Sequence, residues 1–291
     1  MPVLALVLVT AVWGVTFVQV KDAVALYPLF AFLALRFAIA SLALLPPAWP
    51  RLRSLGARGT VQAAGLGLLL AAGYALQTAG LERTTVSGTG FITGMYVVLT
   101  PLIALVLFRA RIPWSAWCGV AVATVGLAML SGIHAGSLLG DMLVLAGSAV
   151  YSLQIVLLER YAPLYEPLAL TFVEMVAALV GFATVAAAAG QFDRAPTGWT
   201  VWGALVVTGV FASALAYLVQ SWAQRRTSAT QTALIFTLEP VFTGIFGFSL
   251  AGDRLGAVGW GGCAVILAGI ALAEPTAAAV LARLVRRPAR S

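Results

Sequence analysis

Apolar stretches of about 20 residues follow one another along nearly the whole chain. Nothing else in the sequence limits the fold as much. Wound as a helix, such a stretch crosses roughly 30 Å of hydrocarbon. Lipid offers no partner to backbone N–H and C=O groups, so each run must satisfy them internally, as a helix does. Charged residues make up only 9% of the chain against 62% hydrophobic, which leaves no sizeable soluble domain. The spacing predicts an all-α polytopic membrane protein with ten transmembrane helices. They lie near residues 3–20, 28–48, 60–81, 87–108, 113–132, 139–158, 167–189, 199–222, 228–250 and 256–274. The first run has no basic region before it and no processing site, so it reads as a span and not as a cleavable signal peptide.

The net charge of +7 is explained by its placement. Arg51, Arg53, Arg58, Arg109, Arg111, Arg160, Arg225, Arg226, Arg283, Arg286, Arg287 and Arg290 fall on one side of the predicted spans. Lys21, Arg83, Arg194 and Arg254 fall on the other, and Arg36 lies within a span. Twelve basic residues against four make the richer side cytoplasmic. Both termini are then cytoplasmic, and the expected location is a bacterial inner membrane. The basic tail, residues 277–291, is expected to meet anionic lipid, and no nucleic-acid partner is called for.

The chain also repeats itself. Tyr74 and Gln77 recur as Tyr217 and Gln220, Thr84 as Thr227, Gly119 as Gly262 and Gly126 as Gly269, all 143 residues on. About five spans precede Ser137 and about five follow it, giving units 1–136 and 137–276. An odd count makes the second unit enter the bilayer from the opposite side. Two inverted five-helix repeats facing one midplane site are the machinery of a secondary transporter. The match is imperfect, because Pro101 and Pro240 lie only 139 apart. The four extra residues in the first copy, about one turn, either make the halves functionally unequal or reflect drift in span length.

Polar residues within spans mark candidate binding positions. Tyr74 and Gln77 share a face of the third span. Ser213, Tyr217, Gln220 and Gln224 line one face of the eighth, and Thr89, Thr93, Tyr96 and Thr100 one face of the fourth. Such stripes should face protein or water. The Thr residues alone fit interhelical bonding, whereas the repeated Tyr/Gln pairs favour a cavity, since an amide suits a zwitterion. Trp13 and Thr16 of the first span match Tyr151 and Gln154 of the sixth at an offset of 138. They offer an aromatic wall, or simple packing. The candidate substrate-binding set is therefore Trp13, Thr16, Tyr74, Gln77, Thr93, Tyr96, Tyr151, Gln154, Ser213, Tyr217 and Gln220.

Three ionisable residues lie inside spans: Arg36, Glu174 and Glu239, and such residues are functional candidates by default. Arg36 and Glu174 occupy corresponding positions and are candidates to pair with each other or with helix ends. Glu239, before Pro240, is either a proton carrier or a brace for a kink. Pro101 and Pro240 deprive Val97 and Phe236 of a helical partner and mark candidate gating bends. Gly90 with Gly94, and Gly262 with Gly269, permit close helix approach. Cys118 and Cys263 sit in corresponding spans, so a disulfide is not expected, and neither a metal site nor a cofactor is called for. His134 reads as an interfacial residue at a helix end.

The segment from Thr227 through Thr237-Leu-Glu-Pro-Val-Phe242, followed by Gly252-Asp-Arg-Leu, and the first-half segment Thr85 to Pro101 resemble the EamA branch of the drug/metabolite transporter superfamily. So do Trp13-Gly14 and Arg36. The resemblance implies ten helices in two inverted repeats and export of small metabolites, most closely in the manner of YddG-type amino-acid exporters. One departure is that Ala110 and Asp253 stand where that family often carries Glu before a basic residue. The expected function is a secondary transporter exporting small metabolites by alternating access, neutral or aromatic amino acids first. Its partners are then a small-molecule substrate and the lipid bilayer. The oligomeric state stays open, and a monomer suffices. Rivals are a multidrug or other metabolite exporter of the same fold and, from another class, a membrane enzyme or lipid-binding scaffold. The chain shows no clustered acids or metal ligands for an enzyme, and a scaffold does not require matched polar stripes.

Overall fold

The computed structural model describes residues 2–81, 83–84, 86–131, 137–250 and 256–273, with no strand among them. Thr85, His134, Asp253, Arg254 and the basic tail lie outside the described residues. The first half begins with α1 (Pro2–Leu26) and α2 (Leu29–Ala48). A short 3-10 segment, Trp49–Leu55, leads into α3 (Gly56–Leu81). The predicted fourth span is two helices, α4 (Val86–Gly94) and α5 (Tyr96–Phe108), and the fifth is α6 (Trp114–Ser131). The second half opens with α7 (Leu138–Tyr161) and α8 (Pro167–Ala188). The predicted eighth span is built from α9 (Trp199–Val207), a π-helical segment Thr208–Leu215 and α10 (Ala216–Ala223). The ninth is α11 (Ala229–Phe236) plus α12 (Leu238–Leu250), and α13 (Ala257–Ala273) closes the series.

Local chemistry sets several starts. Glu166 caps α8 by accepting from the Ala169 N–H at 2.9 Å, with Pro167 at the first helical position. Ser228 caps α11 by accepting from Gln231 N. Gln191, from the α8–α9 connection, accepts from the N–H groups of Phe30 and Ala31 at the start of α2, where Pro28 leaves donors unpaired. Large apolar side chains such as Leu8, Val106, Val125, Val180 and Leu267 lie on the outside, as expected of helices whose outer face meets lipid. The described stretches Leu29–Leu81, Thr89–Phe108, Leu138–Leu164, Pro167–Ala188 and Trp199–Ala223 are long and apolar enough to cross a bilayer, and the first holds two helices. The protein is a multi-pass helical membrane protein.

The packing comes in matched sets. α2 lies on α8 and α6 on α13. α3 lies on α7 as α1 does on α9 and α10, and α3 lies on α8 as α2 does on the π segment. Glycine makes the closest approaches possible. A Cβ on Gly119 would meet Gly269 O at 2.6 Å and one on Gly126 would meet Gly262 O at 2.8 Å. The pairing runs down one residue set and up the other, so α6 and α13 are antiparallel. A second seam, not read from the sequence, sets Gly73 against Gly147 and Gly80 against Gly140, between α3 and α7. Gly94 packs against the Leu127 side chain, whereas a Cβ on Gly90 would meet nothing within 4 Å among the described residues. The expected Gly90–Gly94 pair is thus a single close contact.

The helix breaks correct a second expectation. In the ninth span the break at Thr237 follows Phe236, the residue whose carbonyl Pro240 leaves unpaired. In the fourth span it falls at Met95, six residues before Pro101, which lies inside α5. There Met95 N bonds Ile92 O, a tightened 3-10 turn. Pro101 therefore does not account for the first-half bend.

Candidate functional site

The polar stripes meet in one cavity of about 190 Å³. α1 contributes Trp13 and Thr16, α3 contributes Tyr74 and Gln77, and the fourth span contributes Thr93 and Tyr96. α7 contributes Tyr151 and Gln154, and α10 contributes Tyr217 and Gln220. Every residue of the candidate set except Ser213 lines it. Glu239 and Arg36 line it as well, and Pro101 and Pro240 do not.

The repeat-matched tyrosines touch. Tyr74 and Tyr217 share a hydrogen bond at 3.2 Å, and Tyr151 packs edge-on against Tyr74 at 5.5 Å. Gln77 donates to Thr93 Oγ1 at 2.9 Å and accepts from the Tyr151 hydroxyl at 3.3 Å. Trp13 packs against Tyr217 and Phe236. Its indole N–H donates to Ala212 O at 2.8 Å. The π segment shapes that acceptor: Ala216 N bonds the carbonyl of Phe211, five residues back, instead of that of Ala212. π bulges recur at functional sites because they redirect a carbonyl in this way.

Ser213 corrects the sequence reading. It stands behind the cavity wall, buried, and accepts from Arg36 Nε at 2.8 Å. Arg36 and Glu174 do not pair. Arg36 turns to the π segment and Tyr74, while Glu174 accepts from Gln154 Nε2 at 2.8 Å. The matched positions diverge because Arg36 reaches across to the π segment of the second half, while Glu174 bonds within its own half. Glu239 lies in the first turn of α12 with its carboxylate unbonded to any described residue, so among the described residues no side-chain bond of Glu239 braces the kink.

The cavity extends from this middle layer along Val20, Val24, Leu29 and Leu81, toward the α1–α2 and α3–α4 connections. In the other direction buried amides fill the interior. Gln220 donates to Gln224 at 2.9 Å and to Gln154 at 3.4 Å, and Gln224 donates to Ile155 O at 2.9 Å. Sequence reasoning missed the apolar lining, Val20, Leu29, Leu33 and Leu70 among it, because an apolar residue in a span looks the same facing lipid or cavity. Arg36 carried a signal, an intramembrane charge, but its place in the wall was not foreseen.

The profile of the EamA-like transporter family matches residues 1–132 and 138–274. The chain belongs to that family, and the homologues bear transporter names. An uncharacterized transporter of Archaeoglobus fulgidus is 33% identical, covering 91% of this chain and 82% of its own. The uncharacterized inner membrane transporter YedA of Escherichia coli K12 is 27% identical over 90% of this chain and 86% of its own. A solved crystal structure superposes with a TM-score of 0.82 at 18% identity, covering 95% of this chain and 98% of that one, a likeness of fold.

Proposed function

We propose that this EamA-family transporter is a secondary exporter of small amphiphilic metabolites, with neutral or aromatic amino acids first. It works by alternating access of two inverted five-helix repeats, ten membrane helices in all. The observation that carries the reading is the contact of Tyr74 with Tyr217 across the cavity. Residues related by a repeat meet only where its two-fold axis passes, and in inverted-repeat transporters the solute site lies there. The matched packing pairs and the antiparallel glycine crossing support the same symmetry. Aromatic faces suit an apolar side chain or an ammonium, and amides suit the polar end of a zwitterion.

With the Arg-rich side cytoplasmic, the end of the cavity lined by Val20, Val24, Leu29 and Leu81 faces outward and the amide cluster around Gln220 and Gln224 lies toward the inner side. Tags at Ser291 and near Arg194 should report opposite sides of an inner membrane, with Ser291 in the cytoplasm. Finding both on one side would break the inverted arrangement.

The decisive assay is counterflow in proteoliposomes with a panel of amino acids and cationic drugs. Gln77→Ala should slow amino-acid counterflow roughly 2- to 10-fold, the effect of one lost hydrogen bond to solute, without preventing folding. Gln220→Ala should do the same and also lower stability, since Gln220 bonds two buried amides. Tyr74→Phe should be milder than Tyr74→Ala, because the ring wall survives. Well-folded alanine variants with full flux for every solute would overturn the site, and movement of drugs alone would replace amino acids as the substrate class.

A further inference from the structure

Arg36 is 5% exposed and lines the cavity, yet no carboxylate among the described residues lies within 4 Å of its guanidinium. Three bonds fix the group: Nε to Ser213 Oγ at 2.8 Å, and Nη2 to Ala212 O at 3.4 Å and to the Tyr74 hydroxyl at 3.5 Å. The rings of Phe37 and Tyr74 lie 5.8 and 5.4 Å from its central carbon. Nη1 donates to no described residue. Guanidinium has five N–H donors, so the two on Nη1 remain uncommitted at the cavity edge. A cation removed from bulk water calls for a counter-charge; Glu239 lines the same cavity and feels the charge of Arg36 but makes no ion pair with it, so the bonded counter-charge is left for a solute to supply.

We infer that Arg36 is the carboxylate-recognition residue of this cavity, its free Nη1 edge receiving the acid group of a monocarboxylate solute. The inference deepens the amino-acid reading and rests on the same cavity. Arg36 is the only basic residue in the described lining, which suits one negative charge and not a phosphate dianion. The matched position in the other half holds Glu174, which bonds Gln154 and does not line the cavity. The acid end of a solute is therefore received once, on the side of α2 and the π segment, and a near-symmetric scaffold acquires a direction.

The test compares ligands of one shape. Binding to the purified full chain is measured for phenylalanine, leucine and 3-phenylpropionate, and for phenylalaninamide and phenethylamine, which lack the acid. The carboxylates should bind roughly 10- to 100-fold more tightly than the matched amide, the range expected for charge-assisted hydrogen bonding. Arg36→Gln should erase that preference while leaving phenylalaninamide affinity within about twofold. If Arg36→Gln does not fold, the wild-type acid-to-amide ratio decides. Equal binding of acid and amide overturns the inference, as does an equal loss of both in Arg36→Gln, or failure of every carboxylate to bind. The two readings fail separately. If 3-phenylpropionate binds through Arg36 while no amino acid is carried, the amino-acid reading falls and this one stands. If phenylalanine and its amide are carried equally well, this one falls and amino-acid export stands.

Discussion

Gly67→Ala is expected to cost the protein much of its stability, while Gly65→Ala, two residues earlier in α3, is tolerated. The methyl on residue 67 would be driven into the carbonyl oxygen of Glu174 and to 2.8 Å from Ala177 Cβ. That oxygen belongs to the backbone of α8 and cannot swing aside, so α3 and α8 must part. Overpacking of this kind costs up to about 3 kcal/mol, on the order of 6–10 °C in apparent Tm for a chain of this size. A Cβ at Gly65 meets nothing within 4 Å, and there the better helix propensity of Ala is worth about 0.5–1 kcal/mol. Heating both variants in detergent and following the monodisperse fraction tests the pair. Equal behaviour of the two would mean that α3 and α8 do not approach as closely as described.

Glu239→Gln is expected to abolish coupling to a proton gradient, lowering gradient-driven flux at least tenfold, since the amide cannot release a proton. Counterflow, which needs no net proton movement, should survive. The reason is placement: Glu239 is the only acidic residue in the described lining, its carboxylate is unbonded to any described residue, and it adjoins the break at Thr237. A proton there can therefore respond both to a solute and to a bend. Paired measurements in proteoliposomes separate the outcomes. Unchanged driven flux would take the proton away from Glu239. Loss of counterflow as well would reassign its carboxylate to holding the solute.

The repeat register shows how far a local rule reaches. Offsets of 143 and 138 pair Tyr74 with Tyr217 and Trp13 with Tyr151, and all four line the cavity, because helical spacing alone puts each polar stripe on one face. The same offset pairs Arg36 with Glu174, yet only Arg36 reaches the cavity. Its partners Ala212 and Ser213 come from the opposite half, where the backbone has slipped into π register.

What the sequence alone determined is therefore what hydrocarbon and periodicity impose: a helical multi-pass chain, the order and approximate ends of its described helices, the family, and the faces that carry Tyr and Gln. The tertiary structure decided the rest. It placed Ser213 behind Arg36, moved the first-half bend from Pro101 to Met95, and opened the Gly73–Gly147 and Gly80–Gly140 seam between α3 and α7. It also chose which apolar residues wall the cavity. In a bilayer the outer face of a helix is as apolar as its packed face, so hydrophobic pattern no longer tells inside from outside. Only the contacts between helices far apart in sequence distinguish them.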